Sequence, residues 1–274
     1  MKLTTKIVFG IIISIFLLSF SVIIFVSFLN IENSDIDVVP IISQENIIPV
    51  KIEPYKTIFI DEVQNQNSYN LYPSGTFLFK PVINDGEKNK LFLPEELLQF
   101  TEIISSNDTL IIRLKMDELN EKYSIAEKRV GMFYHFDCIK FFIHSNTVDI
   151  INNFSGVKIE IKNINTDKIK IHSFGDINID SCQVDMIKPI VMSRWKSFSI
   201  TNSKVKELNI DLDNIGKSWQ IENCDIEVEN LTGNGNHKVN LPKSEAKIIN
   251  WIPKDKEAEL TIKLFGDTAK ITFP

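Results

Sequence analysis

The chain has 274 residues, a net charge of −6, ten Gly, ten Pro and three Cys, and is 43% hydrophobic. That length carries one large all-β domain or two modest ones. The acidic balance argues against nucleic acid, which needs a basic face to neutralise phosphates, and three scattered Cys rule out a disulfide-built scaffold.

The first element is an uncharged run from Ile7 to Leu29, 23 residues of mostly Ile, Leu, Phe and Val. As a helix it spans roughly 34 Å, enough for a hydrocarbon core of about 30 Å. Lys2 and Lys6 precede it, and Glu32, Asp35 and Asp37 follow. The positive-inside rule then gives a single-pass membrane protein with a cytoplasmic N-terminus and a periplasmic or extracellular C-terminal domain. The rival is a cleaved signal peptide, but the run is long for one and no small-x-small pair follows it. Both readings export the rest, which carries 28 basic residues against 36 acidic ones, or −8. Such a domain stands off anionic headgroups, so the expected contact with the lipid bilayer is through residues 7–29.

Residues 30–54 hold Pro40, Pro49 and Pro54 among short apolar pairs. They read as an extended linker, with an added edge strand at Ile41-Ile42 or Ile47-Ile48 as the alternative. From Thr57 the pattern has period two: Ile58 and Ile60, Phe77 and Phe79, Leu91 and Leu93, then Leu110, Ile112 and Leu114. Alternation bounded by Gly, Pro and Asn predicts strands. Short helices are expected over 94–104, where Pro94-Glu95-Glu96 suits a first turn, and over 116–129.

A repeat starts at Phe141. The unit is apolar, x, Ile, polar, Asn or Ser, after a first copy Phe141-Phe142-Ile143-His144-Ser145. Further copies start at Ile159, Ile177, Phe198 and Trp219, spaced 18, 18, 21 and 21 residues apart, with a degenerate sixth near Val239. The fifth column reads Ser145, Asn163, Ser181, Asn202, Asn223. The eighth is β-branched throughout: Val148, Thr166, Val184, Val205, Ile226. A period near twenty with strand alternation predicts a β-solenoid, each apolar column an inward ladder and the Asn/Ser column a corner. A plain antiparallel sandwich is the alternative. The pattern over 260–273 reads as a C-terminal hairpin capping the stack. The expected fold is thus all-β, a short right-handed β-solenoid over 55–274 behind one N-terminal transmembrane helix, with residues 1–29 as cytoplasmic tip and anchor.

This order of features resembles the bacterial auto-transporter adhesin head GIN domain family, of unknown function. The features are an exported N-terminus, an opening near Tyr55-Lys56-Thr57-Ile58-Phe59-Ile60, a turn at Asn107-Asp108, short rungs and the Gly233-Asn234-Gly235 turn. The resemblance covers roughly 55–274, and the chain departs from it in being poor in Gly. It implies an adhesin-like domain and transfers no catalytic residues.

Cys182 and Cys224 fall in one column two rungs apart, about 9.6 Å, beyond disulfide reach, so both are expected as free corner residues. The ninth column holds Asp149, Asp167, Asp185, Lys206 and Glu227. Stacked, the three aspartates form an outer stripe. Its repulsion would be relieved by solvent, by Lys206 or by a bound cation such as Ca²⁺. Trp219 sits in an inward column, which leaves Trp195 as the exposed candidate for a sugar platform. The four His lack metal spacing, and Asp211-Leu212-Asp213-Asn214 lacks the Gly and Glu of a Ca²⁺ loop. No nucleophile elbow, P-loop or dinucleotide fingerprint occurs. No cofactor is expected. The expected function is non-enzymatic, an adhesin-like or binding module of the cell envelope whose partner is an envelope protein or a glycan. The alternatives are a β-helical carbohydrate-active enzyme and a structural envelope scaffold.

Overall fold

The computed structural model describes residues 16, 19–21, 39–40, 46–62, 71–118, 132–143, 147–193, 195–215, 218–241, 246–264 and 270–272. The chain divides into two units, Met1–Asp37 and Val38–Pro274. In the first, Phe16, Ser19, Phe20 and Ser21 are helical, and the Phe16 and Phe20 rings stack at 6.5 Å. Among the described residues no helix is long and apolar enough to cross a membrane. The rest of the 7–29 run lies outside them.

The second unit is all-β. Its strands are β1 (Val39–Pro40), β2 (Ile47–Lys51), β3 (Thr57–Glu62), β4 (Leu71–Pro81), β5 (Lys90–Pro94), β6 (Thr101–Ser106) and β7 (Thr109–Leu114). Next come β8 (Met132–Ile143), β9 (Thr147–Asn152), β10 (Val157–Lys162), β11 (Asn165–Ser173), β12 (Ile177–Asp180), β13 (Gln183–Val191) and β14 (Ser197–Thr201). The series ends with β15 (Lys204–Asp211), β16 (Ser218–Glu222), β17 (Asp225–Gly233), β18 (Asn236–Leu241), β19 (Ala246–Pro253), β20 (Glu259–Leu264) and β21 (Lys270–Thr272).

Two long sheets run side by side. One is ordered β16-β14-β12-β10-β4-β8-β5-β2, with β1 also on β8; the other is β21-β19-β17-β15-β13-β11-β9-β3-β7-β6. From β9 to β17 successive strands alternate between the two sheets, and β18 and β20 form a separate two-stranded sheet; the whole is a β-solenoid of about five turns. Parallel neighbours such as Ile159, Ile177 and Phe198 stack in register, and they are 0–1% exposed. Burying each such side chain stabilises the stack by about 1.5–3 kcal/mol. The alternating residues of β3, β4, β5 and β7 form the same core.

Corners follow the Asn/Ser column. Asn163, Ser181, Asn202 and Asn223 all have positive φ, between 50° and 57°. Only Gly and residues with short polar side chains take that conformation at low cost. Adjacent corners are tied by backbone bonds such as Asn202 N–H to the Glu222 carbonyl at 3.0 Å, and the Asn202 side-chain amide donates to Asp180 at 2.9 Å. Asn202→Ala is expected to lose about 1–2 kcal/mol, and Asn202→Gly less, in urea titrations. Equal losses would mean that the side-chain bond, not the backbone, sets the cost.

Cys182 and Cys224 are thiols buried behind these corners. Ser203 lies between them, its Oγ accepting the Cys182 N–H at 3.0 Å. Burial pushes the Cys182 thiol up to about 11, so it stays protonated and inert.

Three expectations need correction. Residues 30–54 are not all linker. β2 pairs antiparallel with β5 at the sheet edge, where Pro49 is tolerated because one side of the strand needs no donor. The helix expected over 94–104 is a single turn, α1 (Glu95–Leu98), closed by Thr101 Oγ1 donating to the Leu97 carbonyl at 2.7 Å. Of the helix expected over 116–129, residues 116–118 are helical and the remainder lies outside the described residues. β20 and β21 make no hairpin: they pair in parallel with β18 and β19 respectively, so the alternating strands after Ala258 continue the winding.

The first repeat copy is also out of register. Phe79 aligns with both Phe141 and Ile161, and Phe77 with both Ile139 and Ile159. β4 therefore lies between β8 and β10, and Ile139, not Phe141, heads the inward column. Strands β3–β4 and β8–β9 are interlaced, with β3 beyond β9 in one sheet and β4 inside β8 in the other.

Candidate functional site

The loops after β11, β13, β15, β17 and β19 stack along one edge. Between β11 and β12 the turn is residues 174–176; between β13 and β14 it is 192–196. The step from 18 to 21 residues per turn is taken up in this corner. Phe174 N–H bonds the Asn152 carbonyl and Met192 N–H the Ser173 carbonyl, so Phe174 and Met192 occupy equivalent places on successive turns. Both side chains are exposed, and Trp195, in the longer loop, is 83% exposed. The loop is anchored by Asp176, which accepts from Ser197 N–H at 2.8 Å and from Ser197 Oγ at 3.0 Å. Trp219 is partly buried against the core and Trp251 is buried, as an inward column requires of Trp219.

The acidic column divides. Thr166 aligns with Val184 and Val184 with Val205, then Val205 with Ile226, so Asp167, Asp185, Lys206 and Glu227 share one exposed column. Lys206 Nζ sits 2.7 Å from Asp185. The hydrogen bond and charge of Asp185, then Glu227 and Asp167, raise the Lys206 ammonium above its ordinary range. Lys206 is thus the cation that relieves this stripe. Asp149 is elsewhere: β9 is shifted by three residues, Val148 aligning with Ile169 and Asp149 with Lys170. The three aspartates do not converge, and among the described residues no group of three or more His, Cys, Asp and Glu is placed to hold a metal.

A second polar cluster occupies the same edge nearer the C-terminus. Lys254 Nζ lies 2.6 Å from Asp211 Oδ1 and 2.9 Å from Asp213 Oδ2. Asp213 also accepts from the Asn234 backbone and side-chain amides at 2.9–3.2 Å and meets His237 Nε2 at 3.1 Å. The pair that superficially looked like a Ca²⁺ loop holds the chain's own ammonium. Spacing by the repeat leads to it: Asp213, Asn234 and Lys254 are 21 and 20 residues apart. Burial pushes the Asp213 carboxyl up, but Lys254, Asn234 and His237 outweigh it and hold the carboxyl below its ordinary range. A depressed carboxyl contributes stability that is complete above the unfolded value near 4 and is lost as pH falls through the lower folded value. Asp213→Asn is therefore expected to lower stability at pH 7 and to flatten its fall below pH 4. An unchanged acid limb in thermal scans would refute that role.

No family model matches the chain, and no curated protein does. Among solved structures it is similar to a "putative adhesin" from Parabacteroides merdae, at 12% identity and a TM-score of 0.29, over 83% of this chain and 94% of that one. At that score the likeness says nothing about function.

Proposed function

We propose that the protein is a membrane-anchored, adhesin-like binding module of the bacterial cell envelope, of the kind implied by the GIN domain resemblance. In this reading residues 7–29 hold it in the bilayer, and the right-handed solenoid stands in the periplasm or outside the cell. The exposed Trp195 carries the proposal. It lies on a turn longer than its counterpart one rung earlier, along the edge where Met192 and Phe174 are also exposed. A large aromatic in water contributes nothing to the core, whereas against a sugar ring or an apolar side chain it buries area at little entropic cost. The expected partner is a glycan or an envelope protein, bound without chemistry.

The test is a glycan array and an envelope-fraction pull-down with the full chain. Trp195→Ala is expected to abolish capture while leaving stability within about 0.5 kcal/mol. Retained capture by a stable variant would refute the surface. Recovery of the chain in the soluble fraction of intact cells would refute the anchor.

A further inference from the structure

The two walls of the solenoid part company at one level. On one sheet β17, β19 and β21 continue the ladder. On the other the ladder stops at β16, because β18 pairs with β20 in a separate two-stranded sheet. β16 and β18 are consecutive turns of the winding, yet no strand among the described residues joins them.

The core registers this opening. Along the first inward column Ile159, Ile177 and Phe198 are fully buried, and the next residue, Trp219, is only partly so. Along the second, Ile161, Ile179 and Ile200 are fully buried and Ile221 only partly. The missing cover lies on the side where no described strand pairs with β16. Leu260 on β20 is likewise partly exposed beyond it.

We propose that this opening is a strand-insertion site for an extended segment of a partner protein. A free parallel edge presents alternating N–H and C=O groups at strand spacing, which only another extended backbone matches in full. The same sheet already contains such a wedge: β4 fits between β8 and β10 and pairs in parallel with both. Two features fix the chemistry of the occupant. Apolar side chains at alternate positions would continue the Trp219 and Ile221 columns. A basic residue between or beside them would meet Glu222, which is exposed and makes no ion pair among the described residues. This site is independent of the Trp195 surface.

The probe is a peptide copying residues 196–204, Lys-Ser-Phe-Ser-Ile-Thr-Asn-Ser-Lys. It has the alternation of β14, the strand already paired with β16, and a lysine at each end. Added to the full-length Trp195→Phe variant, it should shift the Trp219 emission to the blue and reduce its quenching by acrylamide. It should also protect the amides of 218–222 and 236–241 from exchange in the wild-type chain. A peptide carrying Ser199→Pro loses a donor that faces β16 and should bind about tenfold more weakly or worse. Glu222→Lys should weaken binding in low salt without altering the melting of the free protein. Three results would overturn the proposal. One is no response at millimolar peptide. Another is slow exchange of both strands in the protein alone, meaning the opening is closed. The third is protection that rises with protein concentration, meaning a second copy fills it.

Discussion

Gly175→Ala is expected to destabilise the solenoid by about 3 kcal/mol or more, lowering the melting temperature by about 6 °C or more. A Cβ built on Gly175 would lie 1.7 Å from the Val157 carbonyl oxygen, 2.8 Å from its carbon and 3.2 Å from the Phe154 oxygen. These are backbone atoms and cannot swing aside. Val157 is held in register with Gly75 on β4, and Ile159 N–H is bonded to the Asp176 carbonyl at 2.8 Å, so moving β10 away breaks ladder bonds on both sides. The turn itself is fixed by buried polar groups. Asn152 Nδ2 donates to Ser173 Oγ at 2.9 Å, and that hydroxyl accepts the Gly175 N–H at 3.0 Å. Gly86 is the control: an added Cβ there meets nothing within 4 Å, and Gly86→Ala should change stability by less than about 0.5 kcal/mol. Denaturant titrations in which the two variants behaved alike would mean that β10 and the 174–176 turn do not approach each other as described.

The part of the fold that was legible in the sequence is the part made of nearest-neighbour turns. From Ile159 to Ile226 each strand pairs with its counterpart one period away, so column reading and ladder register coincide. The corner residues were legible for a local reason: Asn and Ser tolerate positive φ wherever they sit, and Asn163, Ser181, Asn202 and Asn223 all have it. Before β10 the reading fails. Phe141-x-Ile143, with Ser145 in the fifth place, matches the repeat template better than Ile139-x-Phe141 does, and no local signal says that β4, some sixty residues earlier, will lie between β8 and β10. The end of the chain fails for a related reason. Two alternating stretches around Gly266-Asp267 have the same pattern whether they fold back on each other or step to the next turn. At the site, exposure of Trp195 followed from its lying outside every inward column. Asp149 was misplaced because its strand is shifted by three residues. The Lys254 pairing spans 41 and 43 residues and emerges only when the corner column is carried two turns past Asp213.

The interlaced region makes its own prediction. Phe141→Ala is expected to cost about 3–5 kcal/mol, or about 6–20 °C in melting temperature. The ring is fully buried, stacked on Phe79 at 4.6 Å and edge-on to Phe77 at 5.6 Å. Its residue also aligns with Leu91 on β5. One side chain thus bridges three strands that enter the sheet out of chain order. Phe198→Ala removes the same ring from an ordinary turn, between Ile177 and Trp219, and should cost a similar amount. Hydrogen exchange separates them. Coupling in a solenoid passes mainly between adjacent turns, so Phe141→Ala should loosen β4, β5 and β8 first and leave β14–β17 protected, while Phe198→Ala should do the reverse. Uniform loss of protection in both variants would mean that the interlaced strands and the regular turns unfold as one cooperative unit. In that case β4, wedged between β8 and β10, acts as the clasp that ties the two together.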